Sequence, residues 1–138
     1  MPPSLIVLRG VPGSGKSHFA HKLAAAFAAT YLSTDAIRAE LSGSEGDQSR
    51  NREVFPLLDA RVAAALRAGD SVVVDATNTD PGRMRFWSQL AAATGAELTV
   101  LRIDVPLQVA LARNAARERV VPEQAIIEMA RQLDESWD

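Results

Sequence analysis

Along this chain, short apolar runs alternate with longer stretches in which apolar residues return every three or four positions. The first run, "SLIVLR" at 4–9, is apolar without alternation, which predicts a strand buried on both faces. A glycine-rich turn follows, then "KSHFAHKLAAAFAA" at 16–29, rich in helix formers. "TYLST" at 30–34 predicts a second short strand, with Ser33 or Thr34 placed to cap a helix beginning near Asp35. Residues 42–49 are small and polar with two glycines, the signature of a loop. Val54, Leu57, Leu58, Val62 and Leu66 then mark one helical face, which Gly69 can close. "SVVVD" at 71–75 predicts a third buried strand. A turn containing Pro81 opens a helix ending at Gly95, and "ELTVLRID" at 97–104 is a fourth strand. Pro106 opens a helix running toward Arg119, and Pro122 opens the last one.

Strands that alternate with helices predict an α/β fold, a parallel sheet covered on both faces and joined by right-handed crossovers. No repeat or linker interrupts the pattern, so residues 1–138 read as a single domain. Composition agrees: 47% hydrophobic and 23% charged residues suit a globular protein with a real core. A net charge of -2 gives no global attraction to nucleic acid or to an anionic membrane, so a polyanion site has to be a local cluster. The absence of cysteine excludes disulfides and thiolate-held metals and is compatible with a reducing cytoplasm. The apolar run at 5–8 is too short for a signal peptide or a membrane span. The expectation is a soluble cytoplasmic protein without a membrane partner.

"GVPGSGKS" at 10–17 adds the first specific chemistry. Spaced as G-x-x-x-x-G-K-[ST] between a strand and a helix, it predicts a phosphate-binding loop. Gly13, Ser14 and Gly15 let backbone N–H groups surround a phosphate, and the following helix adds its positive end. Lys16 then reaches the β- and γ-phosphates of ATP, and the Ser17 hydroxyl is placed to ligate Mg²⁺. His18 stands where many such loops carry a second hydroxyl; it either contacts the α-phosphate or is a surface residue.

The third strand ends in Asp75, where a carboxylate beside the water shell of the metal is expected, although a strand-ending aspartate also caps turns. Dedicated ATP hydrolases often follow that aspartate with a glutamate, and here Ala76 follows instead. "TDAIR" places Asp35 and Arg38 three residues apart on one helix face, at the carboxyl end of the second strand. A phosphoryl acceptor needs a carboxylate to take its proton and a planar cation for its anionic groups. An ordinary i,i+3 ion pair would show the same spacing. Arg113 and Arg117 share a helix face and could close over ATP as a lid, or simply face solvent.

Taken together, "GVPGSGKS", "STDAIR", "VVVDATNTDPGRMRFW" and "DVPLQVALARNAARERVVP" resemble the 5′-kinase domain of the phage-type polynucleotide kinases. These belong to the small P-loop kinases that include zeta toxins and chloramphenicol phosphotransferase. The resemblance spans nearly the whole chain. It implies a four-stranded parallel sheet of order 2-3-1-4 with helices on both faces and a helical lid. It implies that Asp35 is the general base and that Arg38 holds the acceptor strand's phosphate. Arg117, beside Arg113, becomes the lid arginine, while Asp75 and Asn78 support the acceptor site. The segment between Arg113 and Pro122 is short, which leaves Arg119 as the alternative to Arg117. The expected reaction is transfer from ATP to a hydroxyl, foremost a nucleic acid 5′ end. The alternatives are a small metabolite, antibiotic or sugar-nucleotide acceptor, favoured by the low pI and only two lysines, or a nucleotide-binding module with no acceptor.

Overall fold

The computed structural model describes residues 1–43, 51–116 and 121–135. β1 (Ser4–Arg9), β2 (Thr30–Ser33), β3 (Val72–Asp75) and β4 (Glu97–Arg102) form a parallel sheet in the order β2-β3-β1-β4. The helices are α1 (Lys16–Ala26), α2 (Thr34–Ser42), α3 (Asn51–Arg67), α4 (Pro81–Thr94), α5 (Leu107–Ala115) and α6 (Glu123–Glu135). Among the described residues no helix is long and apolar enough to cross a membrane.

The two inner strands β1 and β3 are buried on both faces, as their unbroken apolar runs predict. On one face Leu5, Val7, Val72 and Val74 pack against Ile37, Val54, Leu58, Val62 and Trp87 from α2, α3 and α4. On the other, Ile6, Leu8 and Val73 meet Ala20 and Ala24, where small side chains let α1 lie close to the sheet. Burial of each larger aliphatic side chain contributes about 1.5–3 kcal/mol. A third cluster of Val11, Ala110, Val121 and Ile126 seats α5 and α6 beside the turn after β1.

Register decides what the sheet delivers to its carboxyl edge. Leu8 and Ser33 both lie level with Asp75, so β1, β3 and β2 end on one rim. The turn after β1, the end of β3 and the start of α2 therefore share that rim. Ser33 caps α2, its Oγ accepting from the Ala36 N–H at 3.1 Å, as its residue type leads one to expect.

Some element ends differ from the sequence expectation. α1 stops at Ala26 rather than 29, because Ala28 turns into the left-handed region (φ 51°) to bring the chain back into β2. β4 ends at Arg102 rather than Asp104, though the Ile103 N–H still donates to the Arg9 carbonyl at 2.8 Å. α3 begins at Asn51, one turn before its apolar face becomes readable at Val54.

Behind the rim, the loop after β3 is bound into the interior. Arg9, only 2% exposed, donates from Nε to the Asn78 carbonyl at 2.7 Å and from Nη2 to that of Thr79 at 3.4 Å. Asn78 adopts φ 50° and donates from Nδ2 to the Leu8 carbonyl at 2.7 Å, while its Oδ1 accepts from the Trp87 indole at 3.0 Å. Asn78→Ala removes the amide that joins that carbonyl to that indole, and the indole N–H loses its partner. The expected loss is about 1–3 kcal/mol of stability, the cost of a buried unsatisfied donor. Urea unfolding measures it, and a change below about 0.5 kcal/mol would contradict this role.

Candidate active site

Two glycines shape the turn after β1. Gly13 and Gly15 both sit at φ 87°, where side chains strain the backbone. A Cβ on Gly13 would come within 2.3 Å of the Ala110 carbonyl oxygen, so α5 packs directly on the loop. Gly15 stands at the N-cap of α1 without a side-chain cap bond, which leaves the first helical N–H groups facing outward. Inside the loop the Ser14 Oγ is buried without a hydrogen-bond partner among the described residues. An open helix end, a glycine turn and an unsatisfied hydroxyl fit an anion bound in the loop.

Lys16 leaves α1 toward β3, its Nζ 2.9 Å from Asp75 Oδ1. The other carboxylate oxygen accepts from the Tyr31 hydroxyl at 2.5 Å, and the Tyr31 ring stacks on His21 at 4.0 Å between centroids. Burial alone would raise the Asp75 pKa. The Lys16 charge, with hydrogen bonds from Tyr31, Lys16 and Ser17, overcomes this and holds it below the usual carboxylate value. Burial first, and then Asp75, push the Tyr31 hydroxyl well above its ordinary range, so it remains a donor.

A cleft of about 470 Å³ opens over this pair. That lies within the range of small-molecule sites, about 300–1,000 Å³. Gly13, Ser14, Gly15, Lys16, Ser17 and His18 line it on the side of α1, and Thr34, Asp35, Arg38 and Phe55 on the side of α2 and α3. Asp75 comes from the end of β3, which the sheet order places between the two, and Ala76 and Thr77 from the loop after it. Asp35 and Arg38 form the ion pair their spacing predicts, Nη1 to Oδ1 at 2.6 Å. The Arg38 side chain is 10% exposed and that of Asp35 30%, so the pair is set into the cleft wall rather than spread on an open helix face.

The remaining candidates divide. Ser17 and His18 are both exposed. Arg113 reaches the rim of the loop, its Nη1 3.4 Å from the Gly13 carbonyl. Arg117 and Arg119, the alternative lid arginines, lie outside the described residues. Asn78, expected to support the acceptor site, is 3% exposed, and its amide is hydrogen-bonded at both ends inside the fold, so it holds the loop carrying Ala76 and Thr77. Sequence reasoning missed Tyr31, Phe55 and Met129, which line or support the cleft. No local motif marks them.

Comparison with known proteins places this geometry among relatives. A family model described as an AAA domain matches residues 5–136. A protein named as a bifunctional polynucleotide kinase/RNA ligase, from Autographa californica nuclear polyhedrosis virus, is 28% identical over 133 residues. That match covers 86% of this chain and 19% of the viral protein, so the chain spans about a fifth of its relative's length. Among solved structures, a chain of the Pnkp1/Rnl/Hen1 RNA repair complex superposes with a TM-score of 0.86 at 23% identity. It matches over 99% of this chain and 46% of that one. The Mycobacterium tuberculosis APS kinase CysC, solved with AMPPNP and APS, gives a TM-score of 0.65 at 23% identity over 83% of this chain and 70% of that one. These structures share the fold.

A depressed carboxylate pKa contributes stability that is present above the unfolded value, here 3.8, and is lost as pH falls through the folded one. The stability difference between the wild type and Asp75→Asn is therefore expected to hold near neutral pH and to shrink as pH falls through and below 3.8. Parallel urea titrations measure it. A difference that stays constant with pH would contradict the assigned pairing.

Proposed function

The chain belongs to the AAA domain family, and from that premise we propose that it is an ATP-dependent phosphotransferase acting on a polynucleotide 5′-hydroxyl. The observation that carries this reading is the cleft itself. A phosphate loop and a carboxylate–guanidinium pair face each other across the end of β3. The named activity of the viral relative supports the choice of acceptor.

In this reading the loop N–H groups and Lys16 hold the β- and γ-phosphates of ATP. Ser17 would hold Mg²⁺, with Asp75 beside its water shell, and the ion when bound neutralises charge on the phosphates. The Ser17 and Asp75 oxygens suit that hard cation, which keeps much of its water. Asp35 accepts the proton of the acceptor hydroxyl as its oxygen attacks the γ-phosphorus. The bond to the β,γ-bridging oxygen breaks, and ADP leaves with that electron pair. Arg38 addresses the acceptor's phosphate as a planar cation and keeps Asp35 oriented. Arg113, with Arg117 or Arg119, would close over the transferring phosphoryl. A cytoplasmic setting, suited to a chain without cysteine, belongs to the same proposal. The net charge of -2 favours a second reading, the same chemistry on a small metabolite.

The test is transfer of label from γ-labelled ATP to a 5′-OH oligonucleotide, run beside a panel of hydroxylated metabolites. Label is expected on the oligonucleotide, and Lys16→Ala is expected to lower the rate by at least roughly two to three powers of ten. Label only on a metabolite would move the acceptor assignment to the second reading. Transfer near the wild-type rate in Lys16→Ala would contradict the phosphate cradle.

A further inference from the structure

Beside the Asp35–Arg38 pair, the cleft wall carries an aromatic ring that the transfer chemistry does not use. Phe55 lies in the second turn of α3. Its neighbours Val54 and Leu58 are buried in the core, whereas Phe55 is 38% exposed and lines the cleft. Asp35 and Arg38 line the same side from α2, which packs on α3. A phenyl ring left partly open to the cleft forgoes the full burial that the adjacent core would give it.

The ring is also braced from behind. The Arg83 guanidinium of α4 lies 4.5 Å from the Phe55 centroid, 4.8 Å from that of Phe86 and 4.9 Å from that of Trp87. Both its terminal nitrogens donate to Asp59, at 3.1 and 2.5 Å. Asp59 is four residues beyond Phe55 on α3, so Arg83 grips one helix face through both side chains. Its own Nε is buried without a hydrogen-bond partner among the described residues. The guanidinium is thus set by the rings and the carboxylate around it rather than by full hydrogen bonding. Arg83 holds the Phe55 ring in place while 38% of the residue stays exposed at the cleft.

We propose that Phe55 is the stacking platform for the nucleobase of the acceptor's terminal nucleotide. The inference rests on the phosphotransferase reading and deepens it by naming the acceptor class as one that carries an aromatic base. Asp35, Arg38 and Phe55 then address three parts of one nucleotide, its 5′-hydroxyl, its phosphate and its base. Stacking accepts every base, because every base has a π-face, so this platform selects for nucleotides without selecting sequence. A sugar or other acceptor without a ring system gains nothing from it.

The test uses two 5′-OH oligonucleotides that differ only in whether the terminal nucleotide is normal or abasic. Initial rates are measured for the wild type, Phe55→Leu and Phe55→Tyr, with urea unfolding to verify that each variant is folded. For the wild type, removing the base is expected to raise the acceptor KM roughly tenfold, within the range of base–aromatic stacking. Phe55→Leu is expected to show that rise on the normal oligonucleotide and no further rise on the abasic one. Phe55→Tyr keeps the ring and the low KM, and the KM for ATP stays unchanged in all three. A wild type indifferent to the terminal base, or an unchanged acceptor KM in Phe55→Leu, overturns the platform while leaving polynucleotide phosphorylation standing. A wild type that labels only a metabolite without a base overturns both.

Discussion

The site depends on one ion pair. Lys16 and Asp75 meet at 2.9 Å with side chains 12% and 3% exposed, at the junction of α1 with the end of β3. A pair this buried adds little net stability, because desolvation offsets much of its attraction. Removing one partner is another matter. It strands a buried charge, typically at about 3–5 kcal/mol. The pair therefore fixes position more than it strengthens the fold. It ties the phosphate loop to the centre of the sheet, and Tyr31 ties the same carboxylate to β2.

Everything else at the rim keeps that arrangement in register. The parallel pairing sets Leu8, Ser33 and Asp75 level. Asn78, Arg9 and Trp87 lock the loop behind Asp75, so the cleft floor does not rely on solvent-exposed contacts. From the other side α5 presses on Gly13, which brings Arg113 to the edge of the loop. One carboxylate at a strand tip is thus surrounded by rigid elements, which suits a site whose chemistry is mostly positioning and charge stabilisation.

Much of this was legible because the signals were local. The apolar runs at β1 and β3 gave buried strands, and Lys16, Ser17 and Asp35 sit in short spacings that carry their own mechanism. The sheet order was available through the family resemblance and not through periodicity. What was hidden depends on contacts distant in sequence. Tyr31 finds Asp75 across 44 positions, and Arg83 finds Asp59 across 24. Arg9 reads as a charge at the end of a strand, yet it is buried to serve a carbonyl 69 positions away. The partners of Asn78 are hidden for the same reason. A polar residue in a loop at a strand end invites a ligand, but Trp87 and the Leu8 carbonyl use its amide first.

The central claim is that Asp35 serves the acceptor while the loop serves ATP. The measurement that reaches it most directly is the transfer rate of Asp35→Asn at saturating ATP and 5′-OH oligonucleotide, set beside its ATP dissociation constant. Loss of a general base is expected to slow transfer by roughly two to four powers of ten, with ATP affinity nearly unchanged. A variant that binds ATP poorly but transfers at close to the wild-type rate would place Asp35 in the nucleotide site and contradict this account.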